Sequence, residues 1–289
     1  MRNIFGSIAR GGTRAAITAA FALATTGSAW AVSSISSNAT DLKVALNIAG
    51  LSAGVTTGTA SGTAAPAYNV SNQFAAANQS LSLGNVIGGS LSQDISTGIM
   101  TAAAQSAFPV SPTGSASATI NNLGLGLAVD LGFLGSLNAL SLGSSAITST
   151  TNFDGANFTG VSSIANLTLS SLLVSVPINA AVVASSAANR TLIDVLGLKV
   201  ILNEQVTGDQ TIGNLNTRSL TTNALHIIYD NFAVSGGLLS GDIIVGQSQV
   251  SVSSAVPETA TWAMMIVGFG AIGGALRRQK RQPARIVAF

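Results

Sequence analysis

His226 is the only histidine in a chain of 289 residues that has no cysteine. Proton transfer or activation of a nucleophile would have to use this one ring or a carboxylate. Serines are plentiful, so a Ser-His-acid set can be drawn in many ways, but no Gly-x-Ser-x-Gly elbow marks one of them. Carboxylate chemistry needs two acids at a set separation. Glu204 stands in Asn203-Glu204-Gln205 at the end of an apolar run, with Asp209 and Asp230 as candidate second acids and Arg218 as a candidate ion-pair partner across the next loop. A metal site would need several His or Cys, or clustered Asp; here the acids are scattered and no Asp-x-Asp pattern occurs. The glycines follow strand-like runs with no helix and lysine after them, so there is no phosphate loop. His226 is therefore expected to be a strand residue with a hydrogen-bonded or half-exposed ring. No catalytic residue, metal or cofactor is assigned.

The remaining residues with chemical meaning lie at the two ends. Arg2, Arg10 and Arg14 precede a modest apolar run, Ala15 to Gly27, and Ala29-Trp30-Ala31 forms an A-x-A site. That order is a secretory signal peptide over residues 1–31, cut before Val32 by signal peptidase after Sec-type export. At the other end Val256-Pro257-Glu258 leads into Thr259 to Leu276, which carries no charge, and then into Arg277-Arg278-Gln279-Lys280-Arg281. Eighteen residues of helix are ~27 Å long, enough to cross a bilayer core with little tilt. Arginines beside a span stay in the cytoplasm, which puts Pro257-Glu258 on the far side. Gly270 and Gly274 could let another helix approach closely.

With Trp262-Ala263-Met264-Met265, Gly268-Phe269-Gly270 and Arg277-Arg278, residues 256–281 resemble the PEP-CTERM sorting signal of Gram-negative bacteria, in the variant with Trp-Ala before the span. The family usually has a second proline after the glutamate; this chain has Thr259. The resemblance implies a protein held in the inner membrane by residues 259–276 with its C-terminus cytoplasmic, residues 282–289 forming a short tail. It is then cut near Pro257-Glu258 by an exosortase-type transpeptidase and delivered to the surface or medium of a bacterium that makes exopolysaccharide.

The ends also dominate the charge. The whole chain is +2, but residues 32–255 hold only Lys43, Arg190, Lys199 and Arg218 against nine acids, leaving −5. A mildly acidic body without a basic patch excludes nucleic acid as a partner. Without disulfides, its fold must rest on core burial and backbone pairing.

Within the body, Leu42, Val44, Leu46 and Ile48 alternate with Lys43, Ala45 and Asn47, a half-buried strand. Residues 50–65, rich in Gly, Thr and Ser, read as a loop, and a short helix is expected around Gln73–Ala77. Leu81 and Leu83 open a strand ended by Gly88-Gly89. Residues 95–107 read as strand, and Pro109, Pro112 and Gly114 as a turn. Leu123, Leu125, Leu127, Val129 and Leu131 alternate with small residues, which suggests close packing over that second face. Asp154-Gly155 is a turn. Leu167 to Ile178 reads as a strand with a bulge, placed at an edge by Pro177.

Leu196 to Gln205, Thr221 to Tyr229 and Gly241 to Val252 are the last strands, with Thr207-Gly208-Asp209 as a loop and residues 196–206 and 219–229 as antiparallel neighbours. Leu202-Asn203-Glu204-Gln205, Asn223-Ala224-Leu225-His226-Ile227 and Gly241-Asp242-Ile243-Ile244-Val245-Gly246 together resemble the choice-of-anchor P family of exported bacterial proteins, loosely over residues 40–252. That resemblance implies an all-β surface body of undefined activity. The expected fold is all-β with two antiparallel sheets, a stacked β-helix being the alternative. The expected role is structural or adhesive in the envelope or exopolysaccharide; a carbohydrate- or ice-binding module comes second and a hydrolase third.

Overall fold

The computed structural model describes residues 31–48, 50–86, 89–130, 136–171, 187–234, 237–255 and 259–279. Within these, the side chains of 31, 81, 83–86, 89–91, 129–130, 136–137, 234, 259–262 and 278–279 lie outside the description. Among the described residues the chain is all-β, with antiparallel pairing throughout and one helix.

One sheet has the order β11 (Arg190–Val195), β12 (Leu198–Ile212), β13 (Leu215–Val234), β14 (Gly237–Ala255), β1 (Ala31–Ile48), β2 (Leu51–Ala64). The other is built on β7 (Gly114–Asp130) and β8 (Ser136–Phe153). On one side of this pair run β9 (Phe158–Ala165) and β10 (Thr168–Ser171); on the other run β5 (Gly89–Ser96) and β6 (Met100–Ser106), then β4 (Asn78–Val86) and β3 (Tyr68–Phe74). β3 and β4 continue one line, as do β5 and β6, and β9 and β10: Phe74↔Met100 and Asn78↔Ser96 share one register, as do Met100↔Ile120 and Ser96↔Gly124. Antiparallel pairing of this kind excludes the parallel-stacked β-helix.

The strand expected at Leu42–Ile48 is present, its apolar face buried, and residues 196–206 and 219–229 pair through Leu198↔Tyr229 and Val206↔Thr221. Three expectations fail. Residues 51–64 are an edge strand, because thirteen backbone pairings to β1 override the weak strand preference of Gly and Ser. No helix forms at 73–77; these residues end β3 and lead to β4. Thr207-Gly208-Asp209 is no loop: β12 and β13 continue as a ladder to Ile212↔Leu215 and turn at Gly213-Asn214. Residues 87–88, 131–132 and 172–178 lie outside the described set, and with them the second half of the expected bulged strand.

One level crosses both sheets where the buried face changes parity. In β1 Ile35, Ser37 and Ala39 face inward, then Leu42, Val44, Leu46 and Ile48. In β14 Ile243 and Val245 give way to Ser248, Val250 and Val252; in β7 Ala116, Ala118 and Ile120 give way to Leu123, Leu125 and Leu127. One residue per strand drops out of the ladder there: Asn203, Ala224, Gly246, Asp41 and Gly58 in the first sheet, Asn122 and Ser145 in the second. Asn203, Gly246, Gly58 and Asn122 have φ of 48°, 66°, 66° and 49°, the left-handed region that Gly and Asn enter most readily. This waist divides the interior into a larger Leu/Ile/Val core and a smaller one around Ile35, Ala102, Ala104, Ala116, Ala118, Phe153 and Val250. In the smaller half, Thr151 of β8 bonds across the sheets to the Thr222 hydroxyl (2.8 Å) and the Ser248 carbonyl (2.9 Å).

Helix α1 covers Thr259–Gln279. Its side chains are described from Ala263 to Arg277 and all are exposed. Among the described residues no helix is long and apolar enough to cross a membrane; the uncharged run expected to do so, 259–276, begins before those side chains.

Candidate functional site

The three motifs of the last third come together on the outer face of adjacent strands. β12 carries Glu204, β13 carries Asn223 and His226, and β14 carries Asp242 and Gln247. The register places Glu204 opposite Asn223 and Asn223 opposite Gln247, one step beyond the waist. His226 Nδ1 is 2.7 Å from Glu204 Oε2; a carboxylate only accepts, so this nitrogen carries the proton. Asn223 Nδ2 donates to the same oxygen at 2.7 Å, and Gln247 Nε2 donates to Asn223 Oδ1 at 2.9 Å. The bond from His226 holds the Glu204 carboxyl below its ordinary pKa; burial opposes this and Asn223 adds to it.

The other ring nitrogen decides what the cluster can do. His226 Nε2 is buried, makes no hydrogen bond, and lies 3.5 Å from Asp242 Oδ2. In a hydrolytic triad a nucleophile hydroxyl occupies that place; here a second carboxylate does. A neutral ring turns a lone pair toward Asp242, whereas a doubly protonated ring offers an N–H to each acid. The arrangement ties three strands together through one polar row. Glu204 is joined to His226 and Asn223 rather than to Arg218, which lies opposite Asp209 in the ladder. Asp230 is exposed at the far end of β13. Motif spacing alone could not pair Glu204 with His226, since their contact depends on the Leu202↔Leu225 register.

A second feature was not evident as a site. The outer face of the other sheet holds an open groove of ≈ 590 Å³ floored by Gly124, Gly126 and Gly143 and edged by Ser80, Asp94, Ser96, Ser141 and Thr168. Gly124 and Gly126 of β7 thus line a surface groove; a Cβ on Gly126 would meet nothing within 4 Å, whereas one on Gly124 would meet the Ser96 hydroxyl. Their alternation with leucines is the sequence signal; the close packing expected over that face is absent at Gly126, which opens to the groove.

The third feature is Asp41, fully buried at the waist. Its carboxyl fills the space where Gly58 lacks a side chain, and neither oxygen has a hydrogen-bond partner of good geometry among the described residues. Burial pushes its pKa up to about 7, a rise that the Thr119 backbone only partly offsets. The available clue was its position between two stretches of opposite hydrophobic phase.

Of the processing residues, Ala31 is the first residue of β1 and pairs with Ala255, the last of β14. Ala29, Val256, Pro257 and Glu258 lie outside the described residues. Trp262 and Arg278 are in α1, their side chains outside the description, and Arg277 is exposed near its end. Among the described residues no group of three or more His, Cys, Asp or Glu could hold a metal ion. Compared with family models, curated proteins and solved structures, the chain matches none.

Proposed function

We propose that this is an exported bacterial surface or matrix protein, sorted by its tail, whose β-body is structural or adhesive. The observation that carries the reading is the exit of the chain. β1 and β14 are antiparallel neighbours within their sheet, so Ala31 and Ala255 stand side by side at one end of it. An export signal joined to the first and a C-terminal span joined to the second would then engage one membrane from the same end of the body. Exposed Met264, Ile266, Val267, Phe269, Ile272 and Leu276 on α1 support the span, since so much apolar surface calls for a cover such as lipid. The Glu204–His226 row, used for tying strands, fits a structural role.

Mass spectrometry of the surface or secreted form from the native host tests this. A mature chain that begins at Val32 and lacks everything after about Glu258 is expected; a surface form still carrying Trp262 to Arg281 refutes the removable signal. Pro257→Ala with Glu258→Ala should trap the uncut form in the membrane. A carbohydrate-binding body is the second reading, favoured by the hydroxyl-edged, glycine-floored groove, which would let a sugar ring approach the backbone. Sedimentation of the purified protein with cell-derived exopolysaccharide separates binder from passive scaffold.

A further inference from the structure

The hairpin joining β12 and β13 reaches the same end of the sheet from which the tail departs. Leu215 pairs with Ala255, and Ile212 pairs with Leu215. Cross-strand partners share a face, so Ile212, Leu215 and Ala255 form one short apolar row. Ile212 is 69% and Leu215 43% exposed, although the strands leading to them are polar: Asp209, Gln210 and Thr211 on one, Asn216 and Thr217 on the other. From Ala255 the chain has only Val256-Pro257-Glu258 before α1 begins at Thr259. Four Cα steps span at most ~14 Å, and the neighbouring strand is ~4.8 Å away.

We infer that the 212–215 tip is a membrane-docking element that seats in the interfacial zone of the bilayer beside α1. This rests on the reading of α1 as a membrane span. The occupant is lipid because the tether leaves little choice. A helix starting at the hydrocarbon edge brings its first residue within one short tether of the tip, and the interfacial zone is roughly 5–8 Å deep on each side. The opposite rim of the sheet also exposes leucines, Leu51, Leu196 and Leu238. No tether runs from there.

The chain has two tryptophans, Trp30 and Trp262. The full chain carrying Trp30→Phe, reconstituted in phosphatidylcholine vesicles with bromine on the acyl chains, reports on α1 through Trp262. The same chain carrying also Trp262→Phe and Ile212→Trp reports on the tip, with Leu215→Trp as a second reporter and Leu238→Trp as the far-rim control. Bromines near the headgroup should cut tip emission about twofold and deep bromines much less, with the far-rim reporter unaffected. Quenched Trp262 with unquenched Ile212→Trp and Leu215→Trp overturns the docking element and leaves the span standing; a second copy of the chain covering the tip would give this result. Equal quenching of Leu238→Trp means adsorption without orientation and also overturns it. If Trp262 itself is unquenched, the span fails and the inference with it.

Discussion

Replacing Asp41 by Asn should stabilise the body at alkaline pH and do little in acid. In the folded chain the carboxyl has a pKa of about 7 because it is buried, against an ordinary value of 3.8. A raised carboxyl pKa means that the folded state binds the proton more tightly than the unfolded chain. Stability from this group is therefore complete below about pH 4, falls between pH 4 and 7, and levels off above 7. At ~1.4 kcal/mol per unit, the three-unit gap amounts to about 4 kcal/mol as an upper figure. Asn has nearly the same shape and no charge to desolvate. The two proteins should match near pH 4 and diverge steadily, with Asp41→Asn melting roughly 8–16 °C higher at pH 8 for a body of this size. Thermal unfolding followed by far-ultraviolet circular dichroism at intervals from pH 4 to 8 measures the difference. The Glu204 carboxyl, held low by His226, contributes stability that is lost only as pH falls below about 4.5, and it cancels between the two proteins. Parallel curves across pH 4–8 would refute the claim that Asp41 is kept neutral by burial.

Gly58→Ala combines a left-handed backbone with a clash against the Asp41 carboxyl and should cost about 2–4 kcal/mol, read as a lower urea midpoint. Thr151→Val removes the hydroxyl that bridges Thr222 and Ser248 between the sheets and leaves their buried groups short of a partner; a loss of about 1–3 kcal/mol by urea unfolding is expected. Leu198→Asp, at a site 1% exposed, should abolish soluble expression, because an unpaired buried charge is far more costly than a cavity. Recovery of folded Leu198→Asp protein would place that face of β12 outside the core.

Where side chains are large and alternate, the fold can be read from the sequence. Leu42 to Ile48 and Leu198 to Leu202 announce both their strands and their buried faces. It becomes unreadable where the strands are made of Gly, Ser, Thr and Ala. Residues 51–64 have little intrinsic strand preference and are held by their neighbour, so no local signal marks them. Ala75-Ala76-Ala77 imitates a helix and lies in the break between β3 and β4, where Ala77 is bonded to Thr97, 20 positions away. The polar row at His226 was visible as three motifs, but the contact between Glu204 and His226 joins residues 22 positions apart and required the register. Asp41 escaped notice because a lone acid in a strand normally faces water; its burial follows from the change of phase at that residue.

That change of phase also bears on how the chain avoids misfolding. Slipping a uniform alternating strand by two residues keeps every side chain on its proper face, so a Ser/Thr/Ala-rich strand pays little for the error. Here each long strand contains one step at which its parity reverses, and the steps align from β12 to β2. A two-residue slip would move one step past its neighbour's, sending Asp41 or Gly58 into the wrong company and turning a pair of polar residues inward. The waist thus works like the notch on a vernier, marking one alignment among many that local composition would accept.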